Sequence, residues 1–348
     1  MSFIPMPSSN RRLVPGAGRD TAKIAIVGDY TSPFDDMKLK PFSGPAGSIL
    51  ESCLHAAGLI RGEVYLTNVF KSKTRVPGKN ANTDFFNETK KTFTALGEDH
   101  VDMLHTELNN IGVNVIVAAG NPALMALTGL SSVAKFRGYV SGTTRLATVR
   151  KLIPTHSPGA TLRGAYTHRH MIVADLMKAK REGQFPELIR PDRQLVFDYQ
   201  TVEEALEWLA YYETQDLICF DIEVINFEVS CISFASSANV ACVIPIGRTV
   251  FHPHGWTEDE ELQLWRGVQK VLGNPKSTKI VQNGMFDIHF LLTRNGIVVR
   301  GPIHDTMVGH SVMFPELPKG LDFLGSIYCG TQAYWKDSVK FKNIKEES

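Results

Sequence analysis

Four short apolar runs in the first half of the chain each end in a polar loop and are each followed by residues with helical spacing. The runs are KIAIVGD, EVYLTNVF, VNVIVAAG and KLIPTH. Apolar runs of this length without alternation are typical of strands buried on both faces of a sheet. Strands that alternate with helices in this way form parallel sheets. The pattern therefore predicts an α/β domain with a mostly parallel sheet over residues 21–182.

The second half has a different pattern, which begins after REGQFPELIRPDRQ, a polar stretch that we interpret as a linker over 183–196. LICFDIEV, VSCISFAS and ANVACVIPI follow at close spacing and predict an antiparallel meander. A helix, a strand and three further helical segments come next, so a second domain with a mixed sheet is expected over 197–348. Residues 1–20 are rich in Pro, Ser, Gly and Arg, and predict a flexible arm.

The net charge of this 348-residue chain is only +1, but the charges are unevenly distributed. Residues 1–190 carry 24 Lys and Arg against 15 Asp and Glu, and the remainder carries 13 against 21. A basic half suits a polyanion, and an acidic half that touches the same polyanion needs metal ions to screen it. No long apolar run suggests a membrane span, and the five scattered cysteines include no CxxC pair. These features argue against a membrane partner and a structural zinc site, and fit the cytoplasm.

Two carboxylates interrupt the apolar strand ICFDIEV. Asp221 and Glu223 are two residues apart, so their side chains point to the same face of the strand. Asn283 and Asp287 follow near a strand-to-helix junction and are one helical turn apart. Carboxylates that converge at a sheet edge suit Mg²⁺ or Mn²⁺, and two such ions support phosphodiester cleavage. Alternatively, Asp221 and Glu223 lie on an ordinary solvated face of the sheet, which the D-x-E pattern alone does not exclude.

The order of these signals resembles the DEDD-type 3′–5′ exonuclease domain of family A DNA polymerases over roughly 195–335. Asp221 and Glu223 match the first motif of that family, and Asn283 and Asp287 match the second. The resemblance implies a ribonuclease H-like fold with a mixed sheet. It also implies that these four residues are catalytic and that Asp221, Glu223 and Asp287 bind the metal ions.

A third motif of that family, Tyr-x-x-x-Asp, supplies a fourth ligand and a tyrosine that orients the attacking water. Tyr334 and Asp337 are spaced one residue too short for it, and we interpret Asp337 as a surface residue. Asp305 and Asp322 are interpreted as local capping or packing residues. The two-metal site is therefore expected to be incomplete in this chain, with weak or no exonuclease activity from the chain alone.

Three residues suited to a nucleobase lie in loops that follow the strands of the first domain, where open α/β sheets bind their ligands. Phe42 is suited to stack on a base, and the Asn68 amide to read a base edge with a donor and an acceptor. His156 is suited to donate to a developing oxyanion. Taken one at a time, each residue has an ordinary alternative: a core phenylalanine, a turn asparagine and a loop histidine with satisfied hydrogen bonds.

The segments PFSGPAGSILESCLHAAGLIR and VYLTNVFK are similar to the core of the uracil-DNA glycosylase superfamily, closest to its family 4 branch, over most of 22–180. The resemblance implies a three-layer fold around a parallel sheet. In that fold Phe42 would stack on a flipped uracil, Asn68 would read its edge, and His156 would stabilise the departing uracil anion. Asp29 falls where the family has a glutamate that positions water.

Basic residues after the second strand, Lys71, Lys73 and Arg75, would contact DNA phosphates on the same resemblance. Asp36 is a second acidic candidate for the pocket. Ser72 stands where VVKCRP-type sequences of the branch have a cysteine, so no iron–sulfur cluster is expected. The family's Gly-Glu-Ala-Pro-Gly loop is replaced by Gly-Asp-Tyr-Thr-Ser, and the shorter acid does not reach the same water position without backbone movement. DNA contact is therefore expected, whereas the departures argue against base excision.

The two resemblances in this order are similar to the N-terminal part of DNA polymerases of large bacteriophages of the SPO1 type. Our first hypothesis is that the chain is the front portion of such a replicative polymerase, located in the cytoplasm of an infected bacterium. Its partners would be DNA and, for the polymerase module, a separate chain or other replication proteins. The second hypothesis is a stand-alone uracil-DNA repair enzyme. The third is a non-catalytic DNA-binding protein that senses uracil.

Overall fold

The computed structural model describes residues 11–75, 83–190, 192–247 and 254–329. The chain divides into two compact units, with the division between Ile189 and Arg190, and the stretch that starts at Asp322 groups with the first unit. The predicted domain limits stay predictions. Within the described ranges, no helix is long and apolar enough to cross a bilayer.

The first unit is built on a five-stranded sheet with the order β2-β1-β5-β7-β6, in which only the pairing of β6 with β7 is antiparallel. The prediction of a mostly parallel sheet is therefore confirmed. A separate two-stranded hairpin is formed by β3 and β4. The strands are β1 (Ile24–Thr31), β2 (Val64–Lys73), β3 (Phe86–Asn87), β4 (Thr92–Phe93), β5 (Val115–Ala119), β6 (Ser141–Gly142) and β7 (Lys151–Thr155).

Helices cover both faces of this sheet, because the buried strands are apolar on both sides. Alternate residues of β1 enter two separate cores: Ala25 and Val27 pack on one face, and Ile24 and Ile26 on the other. The helices are α1 (Pro33–Lys38), α2 (Pro45–Ala56), α3 (Ala95–Asn109), α4 (Asn121–Thr128), α5 (Val133–Phe136), α6 (Pro158–Thr161) and α7 (His168–Glu182). The first core is shared with α3 and α4, and the second with α2 and α7. This is the predicted three-layer arrangement.

Residues 11–20 are ordered along the outer edge of β2, so the prediction of a flexible arm is wrong for this part. Ala17 pairs with Leu66 as an antiparallel bridge, and the Val14 N–H donates to the Lys71 carbonyl at 2.6 Å. Because β2 is an edge strand, its unpaired backbone groups need partners, and this segment supplies them. Residues 1–10 of the predicted arm lie outside the described residues.

The second unit contains a six-stranded mixed sheet with the order β13-β12-β9-β10-β11-β8. The three central strands pair antiparallel, as the meander predicted, and the outer pairings are parallel. Its strands are β8 (Gln194–Val196), β9 (Leu217–Ile225), β10 (Glu228–Ala235), β11 (Val240–Pro245), β12 (Thr278–Val281) and β13 (Ile303–Asp305). The helices are α8 (Val202–Glu213), α9 (Glu258–Gly273), α10 (Met285–Asn295) and α11 (Thr306–Met313).

The last three residues of the predicted linker over 183–196 belong to the sheet of the second unit. Residues 194–196 form β8, which pairs in parallel with β11, because the meander otherwise leaves the backbone of β11 unpaired at the edge of the sheet. The last described helix, α12 (Leu321–Tyr328), lies almost entirely in the stretch that groups with the first unit. Ser326 of α12 accepts from the Arg137 guanidinium, and its carbonyl accepts from Lys178 Nζ at 2.6 Å.

Candidate functional site

The structure brings Phe42 and Asn68 together over Gly28. Gly28 of β1 and Asn68 of β2 are register partners on neighbouring parallel strands. A Cβ atom at position 28 would overlap both the Asn68 Oδ1 atom and the Phe42 ring. Glycine is therefore required at position 28, because only a residue without a side chain lets the aromatic ring and the amide meet there.

The loop that carries Phe42 is held in an unusual backbone conformation. Phe42 has a φ angle of +53°, a region that non-glycine residues seldom occupy. The Arg61 guanidinium donates to the carbonyls of Pro41 and Phe42 at 2.9 and 3.0 Å, which fixes this turn. The absence of a side chain at Gly47 lets the Phe42 carbonyl lie against the start of α2. A backbone held in this way places the ring before any ligand arrives.

The amide donor of Asn68 has no partner among the residues that the structure describes. The residue is only 4% exposed, and its Nδ2 atom makes no hydrogen bond to any residue that the structure describes. Leaving a buried donor unsatisfied costs about 1–3 kcal/mol, so such groups usually have a ligand or water partner. The amide is therefore poised to donate to a polar group that enters next to the Phe42 ring.

Asp29 lies against the first turn of α4. Its Oδ1 accepts from the Ala123 N–H at 3.0 Å, and its carboxylate occupies the space where a side chain at Gly120 would be. Burial raises the pKa of Asp29 to about 8, with Glu88 adding to the rise, while the Ala123 N–H and Arg163 oppose it. No hydrogen bond among the described residues joins Asp29 to Phe42, Asn68 or His156, so its role with water stays a prediction.

His156 follows β7 and stacks on a residue that the sequence reasoning missed. Its ring lies 3.7 Å from the ring of His168, centroid to centroid, with an angle of 5° between the planes. Burial, together with His168 and Arg137, lowers the pKa of His156 to about 3. Nothing in the local pattern around THRH indicates this partner, because the contact joins a strand end to a later helix.

Lys71 is not available to DNA, which corrects the prediction. It is 4% exposed, and its ammonium group binds Glu107 of α3 and the Thr67 hydroxyl. The alternation of β2 turns this side chain to the face that packs on α3. Lys73 and Arg75 are exposed, and Lys73 Nζ lies 3.2 Å from the carboxylate of Asp36. The phosphate contacts of these two residues stay predictions, and Asp36 is identified as a partner of Lys73.

Lys71 and Lys73 provide a matched pair of substitutions. Lys73→Met is expected to weaken DNA binding and to reduce the slope of log affinity against log salt by about one, because one phosphate contact is lost. Lys71→Met is expected to lower the free energy of unfolding by about 1–3 kcal/mol without changing that slope, because Glu107 loses the Lys71 ammonium group and keeps only the Tyr65 hydroxyl as a donor. Fluorescence anisotropy at several salt concentrations and urea unfolding measure the two effects. A salt slope altered by Lys71→Met would contradict the structural assignment.

Ser72 is buried beside His100. Its hydroxyl lies 3.4 Å from His100 Nε2, and the Lys71 N–H donates to His100 Nδ1 at 3.1 Å. Burial lowers the pKa of His100 to about 4, so the ring is neutral at neutral pH. The serine at the position of the family's cysteine is thus part of a polar contact inside the fold, and the absence of an iron–sulfur cluster stays a prediction.

Asp221 and Glu223 share one exposed face of β9. The residues of this strand alternate between exposed and buried, with Phe220 and Ile222 in the core and the two acids outside. Register pairing places Ser233 opposite Asp221 and Cys231 opposite Glu223 on β10. The prediction that one face carries both carboxylates is confirmed.

Asp287 lies beside the same strand but points to its backbone. Its Oδ1 accepts from the Ile222 N–H at 3.0 Å, and the residue is 5% exposed on the first turn of α10. The pairing of β9 with β12 ends at Cys219, so Ile222 has no register partner in β12. Burial raises the pKa of Asp287, and the Ile222 N–H opposes this rise. The negative charge of Asp305 adds to it.

Asn283 belongs to a turn that Asp305 organises. Asn283 has a φ angle of +58°, and its N–H donates to Asp305 Oδ1 at 3.1 Å. The Gly284 N–H donates to the other oxygen of the same carboxylate at 2.9 Å. Asp305 also caps α11 by accepting from Met307 and Val308, which confirms the interpretation of Asp305 as a capping residue. Burial acts to raise the pKa of Asp305, but the backbone N–H groups of Asn283, Gly284, Val308 and Met307 together lower it. Asn283 is exposed at this turn, and its catalytic role stays a prediction.

The three predicted metal ligands do not form a ready ligand group. Within the described ranges, no cluster of three or more His, Cys, Asp or Glu side chains is arranged to hold a metal ion. The reason is that Asp287 binds the backbone of β9, whereas Asp221 and Glu223 face solvent. Two neighbouring carboxylates remain a donor set that suits a hard divalent ion. Tyr334 and Asp337, the nearest match to a third motif, lie outside the described residues.

Comparison with known proteins assigns both halves of the chain. Residues 15–177 match the model of the uracil DNA glycosylase superfamily, and residues 194–345 match a 3′–5′ exonuclease model. A type-4 uracil-DNA glycosylase of Archaeoglobus fulgidus is 32% identical over 154 residues, which cover 43% of this chain and 71% of that protein. The DNA polymerase of Bacillus phage SP01 is 22% identical over 339 residues, which cover 87% of this chain and 34% of the polymerase. The chain thus spans about a third of the phage polymerase.

Two solved exonucleases are also similar to part of the chain. Escherichia coli RNase D matches at 18% identity with a TM-score of 0.31, over 42% of this chain and 36% of that one. The Aedes aegypti Nibbler exonuclease domain matches at 16% identity with a TM-score of 0.35, over 47% of this chain and 81% of that one. The family matches confirm the resemblances drawn from the sequence. The chain belongs to the uracil-DNA glycosylase superfamily, and its glycosylase-superfamily domain is followed by a region that matches the 3′–5′ exonuclease model.

Proposed function

We propose that this chain is the N-terminal portion of a phage DNA polymerase and acts on DNA during replication in the cytoplasm of the infected host. The observation that carries the proposal is the similarity to the phage SP01 DNA polymerase across 87% of this chain. A polymerase module, on a separate chain or encoded with this one, and other replication proteins would be its partners.

The first domain is proposed to hold a base that is extruded from a DNA strand. The supporting observation is the unused Asn68 amide donor, buried next to the Phe42 ring over Gly28. A ring face and an amide together supply stacking and edge recognition for one base. Lys73 and Arg75, both exposed, would contact the phosphates of the same strand.

The second domain is proposed to remove nucleotides from a 3′ end with the help of Mg²⁺ or Mn²⁺. Asp221 and Glu223 would hold the ion, which supplies charge neutralisation and activation of water when bound. Asp287 keeps α10 docked on β9 through the Ile222 N–H, so that the start of α10 lies beside the strand that carries the two exposed acids. Asp305 fixes the Asn283 turn, which leads into α10, through two backbone hydrogen bonds.

The base pocket is tested with a single-stranded oligonucleotide that contains one uracil or, at the same position, one cytosine, whose edge presents the opposite pattern of donor and acceptor. Wild-type protein is expected to bind the uracil strand more tightly, and Asn68→Ala to lose this preference, because a good amide-to-base contact contributes about 1–3 kcal/mol. Asn110→Ala, at the exposed C-terminal end of α3, is the matched control. Equal binding of both strands by wild-type protein would overturn the proposed pocket.

A stand-alone repair enzyme is the second candidate, favoured by the 32% identity to a type-4 uracil-DNA glycosylase. The same oligonucleotides distinguish it, because alkaline cleavage after incubation reports free uracil release. Release that disappears in His156→Ala would support the repair enzyme. Binding without release supports a pocket that holds a base without excising it, as the shorter acid at position 29 predicts.

A further inference from the structure

The stacked pair of His156 and His168 joins two elements that are distant in the chain. His156 follows β7, and His168 is the first residue of α7. Their rings are parallel within 5° and 3.7 Å apart, which is direct van der Waals contact over the whole ring face. The Nδ1 atom of His168 is buried and makes no hydrogen bond to any residue in the described ranges. Its position is therefore set by the stack.

We propose that His168 is a positioning residue for His156, which fixes the plane of the His156 imidazole and keeps it uncharged for contact with a bound base. This inference rests on the proposed base pocket of the first domain. His168 itself is assigned no contact with the base.

Helix α7 holds both members of the pair. Asp175 of this helix accepts from the hydroxyl of Thr155, the residue before His156, at 2.6 Å. Arg169, directly after His168, donates to the Ser52 hydroxyl of α2 at 2.6 Å. The strand end and the helix start are thus anchored to the same rigid element. With one ring face covered by His168, a ligand can reach His156 only at the ring edge or the opposite face.

Contact at this distance also disfavours charge on either ring. Two imidazolium rings in contact would repel each other, and Arg137, from the turn after α5, adds positive charge that acts on both. Asp175 of α7 faces Arg137 and is paired with it at 3.0 Å, and Arg169 is the further cation on the first turn of α7. A neutral imidazole has one donor and one acceptor nitrogen, whereas an imidazolium has two donors. Neutrality therefore decides which groups His156 can bind.

The first test measures the ionisation of His156 by NMR of histidine-labelled protein, and it does not depend on DNA binding. His156→Ala assigns the resonance. We expect the pKa of His156 to rise by about one unit or more in His168→Ala, because both the burial and the neighbouring ring are lost. His168→Phe is expected to give a smaller rise, because a flat ring still covers His156. The exposed His170 of the same helix supplies the control His170→Ala, which should leave the pKa unchanged.

The second test measures affinity for the uracil strand at neutral pH. His168→Ala is expected to weaken binding about tenfold, and His168→Phe to restore most of it, because the stacked plane is rebuilt. Two results would overturn the role of His168. The first is a pKa of His156 that is unchanged in His168→Ala. The second is a His168→Ala variant that binds the uracil strand as tightly as wild-type protein does, while His156→Ala binds it more weakly. If Asn68→Ala and His156→Ala both bind the uracil strand as tightly as wild-type protein does, the proposed pocket is overturned instead. The pKa measurement then decides separately whether His168 sets the ionisation of His156.

Discussion

Replacing Asp221 by asparagine and Glu223 by glutamine is expected to remove Mn²⁺ binding and to lower any removal of 3′ nucleotides on the order of a thousandfold. The two acids are exposed side by side on β9, so no other described carboxylate on that strand replaces them. Chelation of the metal should cause the same loss in wild-type protein. Calorimetry with Mn²⁺ and electrophoresis of a 5′-labelled strand measure binding and cleavage.

The control for this pair is Glu228→Gln, an exposed acid at the start of β10 in the same sheet. It should leave Mn²⁺ binding and cleavage unchanged. Because calorimetry reports binding directly, the experiment is informative even if the wild-type chain cleaves slowly. If the double variant still binds Mn²⁺, Asp221 and Glu223 are not the metal ligands. They would then simply lie on a solvated face of the sheet.

Replacing Asp175 by alanine is expected to lower the free energy of unfolding of the first unit by about 3–5 kcal/mol. Asp175 is fully buried, accepts from Thr155, and lies 3.0 Å from the buried guanidinium of Arg137. Burial raises its pKa to about 6, while Arg137, Thr155 and Lys178 oppose this rise. Without Asp175, Arg137 and Lys178 keep their buried positive charges but lose the carboxylate that neighbours both of them. Urea unfolding followed by circular dichroism measures the loss.

Two variants define the origin of this effect. Asp175→Asn retains the shape of the side chain and is expected to give an intermediate loss, because only the charge is removed. Asp102→Ala, on the exposed side of α3, should change the free energy of unfolding by less than about 0.5 kcal/mol. A loss for Asp175→Ala as small as that for Asp102→Ala would refute the idea that this buried ion pair stabilises the unit.

The fold was largely predictable because the periodicity of apolar residues and the length of apolar runs indicate which residues are buried. The apolar runs of β1, β2, β5 and β7 lie in one sheet, and the alternation of β9 placed Asp221 and Glu223 outside. The prediction was less successful where a residue's neighbours come from distant parts of the chain. Residues 11–20 are polar and rich in glycine, yet they are ordered because the edge of β2 needs hydrogen-bond partners.

Lys71 shows the same limit at a single residue. Its type and its place after a strand both suit a phosphate contact, but its side chain ends on the face that Glu107 of α3 covers. Asp287 was identified correctly as a neighbour of β9, while its binding to the Ile222 N–H depends on where the pairing with β12 stops. Neither outcome is encoded in the local spacing.

The sequence by itself determined the two α/β domains, the shared face of Asp221 and Glu223, and the family resemblances in both halves, because these depend on periodicity and on motifs that are local in the chain. Only the tertiary structure decided that Asn68 and Phe42 meet over Gly28, that Lys71 is buried, and that His156 stacks on His168. The physical reason is that contacts between distant segments depend on how layers pack and on which polar groups remain without partners.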